Sequence, residues 1–163
     1  MNAPKSMEEL ADMQRQDNTS LGIVKPKQII DLIIEPDKEE WKSKWKAEME
    51  QLHLFAPERK PLEKIPYKFS YKFTCDDPRC KGHKKVIEDW EVGQLYLNEL
   101  KRLGDRERAT ESVREKFLNV MCAPSKDTHF FVGTVLEYGT WIVLGVFWPP
   151  LQKKPVARKV NSQ

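Results

Sequence analysis

Residues 67–83 constrain the fold of this chain more than any other stretch. Tyr67, Phe69, Tyr71 and Phe73 alternate with Lys68, Ser70, Lys72 and Thr74. A period of two is the mark of a β-strand with one buried face. Four aromatics on one side need a core beneath them, and the two lysines opposite need water. The strand runs directly into Cys75-Asp76-Asp77-Pro78-Arg79-Cys80-Lys81-Gly82-His83. Asp, Pro and Gly at that density form turns. Lys84–Glu88 is therefore expected to return antiparallel and close a β-hairpin over residues 67–88.

The tip of that hairpin has metal-ligand chemistry. In the C-x4-C-x2-H spacing, Cys75, Cys80 and His83 can converge on one ion, and thiolate with imidazole suits zinc. The expectation is one structural zinc per chain. A structural site needs four ligands. The preferred fourth is Cys122, which would use every cysteine in the chain. Asp76, Asp77, Asp89, His129 and, more weakly, His53 are the other candidates. The plain alternative is a chance meeting of two thiols and an imidazole in a loop. A Cys75–Cys80 disulfide would close a very short loop and stabilise little.

The rest of the chain reads as a mixture of strands and helices. Residues 1–20 show no lasting periodicity and read as a flexible arm or a frayed helix. The β-branched stretch Ile23–Ile34, interrupted by Pro26, reads as one or two short strands. Asp37 and Glu40 have the spacing of a capping box. The helix that follows would carry Trp41, Trp45, Met49 and Leu52 on one face. Asp89 caps a second helix with a stripe of Trp90, Gly93, Leu97 and Leu100, ended by Gly104. Asp105 caps a third, with Ala109, Val113, Phe117 and Val120. His129–Val135 and Trp141–Trp148 are the last strands. The second of these is apolar on both faces and reads as a central strand. Strands in two clusters with helices between them indicate an α+β fold. Its antiparallel sheet can curl toward a partial barrel, with about three helices against it. The expected organisation is one domain over 21–151 and a basic, flexible tail over 152–163.

Composition narrows the function. The chain has 163 residues, 39% hydrophobic and 33% charged. No apolar run approaches the ~20 residues that a membrane helix needs. The N-terminal residues have no apolar segment of the signal-peptide type, so a cytoplasmic location and no membrane partner are expected. Three cysteines cannot all pair, which agrees with a reducing compartment. Net charge is only +3, but from Glu58 to Lys85 cations outnumber anions nine to four. Lys68, Lys72, Arg79, Lys81, Lys84 and Lys85 are the candidate contacts to nucleic acid or to an acidic protein. A solvated lysine face is the plain alternative.

The segment YKFSYKFTCDDPRCKGHKKVIEDWEVGQL and the closing FFVGT and GTWIVLGVFWPP resemble an uncharacterised group of bacterial hypothetical proteins. That resemblance implies a bacterial, cytoplasmic origin and carries no activity. The leading expectation is a zinc-stabilised binding module with a basic surface. One alternative is a metal-dependent hydrolase or nuclease using the Cys/His metal or Glu88, Asp89 and Glu91. Against it, Asp89 and Glu91 stand where a helix start favours acids, and no nucleophile is arranged with a base. A protein–protein interaction subunit is the third reading.

Overall fold

A computed structural model of the chain describes residues 3–37, 65–135 and 140–152. The alternating segment is a strand, β3 (Tyr67–Cys75), and His83–Val86 returns beside it as β4. β2 (Pro26–Pro36) pairs with the other edge of β3. All three strands are antiparallel. β1 (Leu21–Val24) lies one residue before β2 but joins a different sheet, of order β1-β5-β6, with β5 (His129–Val135) and β6 (Thr140–Phe147). The chain thus turns a corner at Lys25 and passes from one sheet to the other. The sheets meet again where Ile87 bridges Val143 and the Glu88 N–H donates to the Val143 carbonyl at 2.9 Å. The result is an α+β fold of two three-stranded antiparallel sheets, with no closed barrel among the described residues.

The aromatic face of β3 is the centre of the core. Tyr71 and Phe73 are fully buried, and both rings meet Phe130 of β5, at 4.6 and 5.1 Å between centroids. Toward the other end of β3, Tyr67 and Phe69 pack on Tyr96. Tyr96 belongs to helix α2 (Trp90–Leu103), so one strand joins the second sheet to a helix. The opposite side chains Lys68 and Lys72 are exposed.

Helix boundaries follow their caps. Asp89 accepts from the Glu91 N–H, and Asp105 accepts from the Glu107 and Arg108 N–H groups. Gly104 between them sits at φ +67°, in the left-handed region that glycine favours. Helix α3 (Arg106–Arg114) continues as a π-helical segment, Glu115–Val120.

Several expectations need correction. Residues 7–17 are not a loose arm: Met7–Asp17 is helix α1, with Met7 and Leu10 buried in the core. Trp90 is 70% exposed, because the inward face of α2 runs through Val92, Gly93 and Tyr96. Gly93 packs closely there, since a Cβ would stand 2.6 Å from the end of the Ile65 side chain, which would have to shift. The wider π turn carries the third stripe from Phe117 to Met121 and leaves Val120 outside. β6 ends its sheet instead of centring it. Trp141 and Val143 face inward, while Leu144 and Phe147 are exposed. The expected helix with Trp41 and Trp45, the candidate ligand His53 and the tail from 153 onward lie outside the described residues.

Candidate metal centre

The pleat of the hairpin decides which side chains meet. Cys75 lies on the same face of β3 as Phe73, and His83 is the register partner of Phe73 on β4. Both therefore point to the inner side at the turn end of the hairpin. Cys80 reaches them from the turn. The Cys80 N–H donates to the Asp77 carbonyl at 3.0 Å, and Asp77 Oδ1 accepts from the Arg79 N–H at 2.9 Å. Gly82, at φ +97°, lets the chain swing back into β4.

The fourth member comes from the far end of the sequence. Ser6 caps α1 in a full capping box with Glu9, and its hydroxyl donates to Asp77 Oδ2 at 2.9 Å. This places Glu8, in the first turn, over the hairpin. Ligand atoms of Glu8, Cys75, Cys80 and His83 all lie within 4.8 Å of one another. The His83 ring Nε2 is 2.7 Å from Glu8 Oε1. A tetrahedral zinc sphere has ligand atoms roughly 3.3–3.8 Å apart, from bonds of about 2.0 Å to N or O and 2.3 Å to S. Small side-chain adjustments bring this group to that geometry, so it can hold a metal ion.

Two observations test the fit. First, Glu8 Oε2 is buried and has no hydrogen-bond partner among the described residues, an arrangement that costs free energy unless a cation or donor meets it. Second, backbone N–H groups already point at the sulfurs. Met7 N–H donates to Cys75 Sγ at 3.5 Å, and the N–H groups of Cys75 and Gly82 donate to Cys80 Sγ at 3.2 and 3.4 Å. Such donors stabilise thiolate, the form that binds metal. Burial pushes the Cys75 thiol up to about 11, with the Met7 N–H pulling against it. A metal ion reverses that preference by binding the thiolate directly.

The structure does not bring Cys122 to this site. Its Sγ donates to the Phe117 carbonyl at 3.2 Å, the same oxygen that the buried Tyr71 hydroxyl reaches at 2.6 Å. Burial raises this thiol to about 11 as well. Of the other candidates, Asp89 is a helix cap and His129 Nδ1 is 3.0 Å from the Asp127 carbonyl. Asp77 is held down at about 2 by the Arg79 guanidinium, the Arg79 N–H and Ser6. Sequence reasoning missed Glu8. Its one local signal was the Ser6-x-x-Glu9 capping box, which marks a helix start within the supposed arm.

A family model described as Domain of unknown function (DUF8757) matches residues 3–162. The chain belongs to this family. No curated protein and no solved structure matches it. In this DUF8757 chain the matched span takes in every residue of the candidate centre.

The six candidate cations divide between two settings. Arg79 is bound to Asp77 and, at 2.7 Å, to Asp12 of α1. Lys85 is the register partner of Tyr71, on the inner face, where burial lowers its pKa against the pull of Glu8. Lys68, Lys72, Lys81 and Lys84 are exposed. Lys72 and Lys84 are cross-strand partners, and Lys84 meets Glu35 at 2.8 Å. No helix among the described residues is long and apolar enough to cross a membrane.

Proposed function

We propose that this chain is a zinc-stabilised binding module that presents a lysine face to nucleic acid in the cytoplasm. The observation that carries the reading is the convergence of Glu8, Cys75, Cys80 and His83 from two distant parts of the sequence. Two sulfurs, one nitrogen and one oxygen suit zinc over magnesium or calcium, which take oxygen ligands. Four protein donors complete a tetrahedral sphere, the arrangement of structural sites. The grooves lined by Leu21, Phe131 and Leu144, and by Leu103, Arg108 and Glu115, both lie away from these residues. With four protein ligands and no open position, zinc would fix the hairpin as a structural ion. Free cysteines arranged for metal agree with a reducing compartment.

The partner surface in this reading is the outer face of β2-β3-β4, with Lys68, Lys72 and Lys84, together with Lys81 on the turn. Arg79 drops out because two carboxylates hold it and Lys85 because it is half-buried, whereas Lys84 has a single exposed ion pair, with Glu35, that a phosphate can replace. Four phosphate contacts give a slope of log affinity on log salt of about −3 to −4. Elemental analysis of the untagged protein, purified without chelator, should find about one zinc per chain. A salt titration of binding to a mixed-sequence oligonucleotide should show the slope. Zinc-free protein with freely titratable thiols overturns the metal half, and binding independent of salt overturns the partner half.

A further inference from the structure

We propose that metal occupancy controls the docking of helix α1: the coordination sphere is complete only when Glu8 is in place, so zinc and the docked helix stabilise one another. This inference rests on the zinc reading above and adds to it a moving part and a regulator.

The three remaining ligands come from one hairpin, within nine residues. Glu8 is different. It reaches His83 across 75 positions of sequence and belongs to another element. Its Oε2 is buried and unpartnered among the described residues, so the docked helix holds a carboxylate oxygen that a cation would satisfy. The other polar links from α1 to the hairpin are the Ser6–Asp77 hydrogen bond, the Met7 N–H to Cys75 Sγ contact and the Arg79–Asp12 ion pair. The ion pair is exposed and worth little in water. The apolar anchors are Met7 and Leu10, and Leu10 lies against Gly22 so closely that a Cβ there would stand 2.5 Å from a Leu10 methyl. Trp141 adds a hydrogen bond from its indole N–H to Gln14 at 3.0 Å. α1 therefore covers Gly22 and Trp141 at one end and closes the metal sphere at the other.

Linkage makes the coupling reciprocal: whatever undocks α1 must weaken zinc by the factor that zinc strengthens docking. Gly22→Ala tests this without touching a ligand, because the added methyl pushes on Leu10. Zinc affinity is measured on the full chain by competition with a chromophoric chelator. Hydrogen exchange of residues 7–17 is followed with and without zinc. Wild type should bind one zinc and gain protection across α1. Gly22→Ala should bind zinc about 10–100-fold more weakly, the scale seen when a site loses a supporting group, and Glu8→Gln, which loses a ligand, at least as weakly. Their α1 protection should respond less to zinc. The visible spectrum of cobalt should change in Glu8→Gln and stay as wild type in Gly22→Ala, separating a lost ligand from a loosened helix. Wild type that binds zinc with no change in α1 protection, and variants of unaltered affinity, would overturn this inference while leaving the zinc site standing. Wild type that binds no zinc overturns both.

Discussion

Burial raises the thiols of Cys75 and Cys122 alike, to about 11, yet their surroundings differ in kind. Cys75 ends a strand at the turn end of a hairpin, with Cys80, His83 and Glu8 within ligand distance and a backbone N–H aimed at its sulfur. Cys122 follows a π turn and donates to a carbonyl that it shares with Tyr71. The first sulfur is arranged as an acceptor among groups that deprotonate to bind metal. The second is a hydrogen-bond donor among groups that stay neutral. Burial alone therefore says nothing about which cysteine binds metal, and the partners decide.

Removing metal from the first region should have the largest effect. Chelation, or Cys80→Ser, is expected to lower the melting temperature by at least about 10 °C, equivalent to roughly 3 kcal/mol for a chain of this size. Calorimetry with and without chelator reads it. A melting point that ignores chelator would make the two thiol sites alike after all.

The second region should respond less, and without involving metal. Tyr71→Phe strips a buried hydroxyl from the Phe117 carbonyl and should cost about 1–1.5 kcal/mol in denaturant titration, with zinc stoichiometry unchanged. Zinc lost from this variant would mean that the two regions communicate.

Cys122→Ser sharpens the contrast further. Zinc content should stay at one per chain, and stability should fall by less than about 1.5 kcal/mol. In wild type, Cys122 should alkylate about 100-fold more slowly at pH 8 than an ordinary thiol, since the reactive thiolate is rarer by that factor. The neutral thiol is the form the fold favours. Its stabilisation is full below pH ~9 and is lost as pH rises toward about 11, a slope that Cys122→Ser should reduce, leaving the share of the buried tyrosines. Loss of zinc from Cys122→Ser would restore the cysteine as a ligand.

The smallest stability effect is expected at the outer lysines. Changing Lys68, Lys72 and Lys84 together to Gln should leave unfolding within about 0.5 kcal/mol per site. It should also flatten the salt dependence of oligonucleotide binding. Lys85→Met should do the reverse, altering stability or zinc affinity and sparing the salt slope. A stability loss in the triple variant would assign the outer face to the fold.

Legibility in the sequence followed the range of each interaction. The strand at 67–75, its return at 83–86, the caps at Asp89 and Asp105 and the stop at Gly104 are written in neighbours two to four positions apart, and the structure has them. Cys75, Cys80 and His83 belong to the same class, because one hairpin brings them together. Trp90 was misplaced because a stripe read by spacing has two solutions one residue apart. The true one is selected by Tyr96 packing on Tyr67 and Phe69. β6 was misplaced because an apolar strand does not reveal which sheet position it takes.

Local periodicity and turn chemistry thus determined, from sequence alone, that the chain is α+β and that three metal-type ligands share one hairpin. The fourth group and the rejection of Cys122 belong to tertiary structure. Glu8 meets His83 only because Met7 and Leu10 bury one face of α1. Cys122 turns away because a π turn brings it to the Phe117 carbonyl. Contacts between residues so far apart in sequence are set by which apolar faces pack together, and a short-range pattern carries no record of that choice.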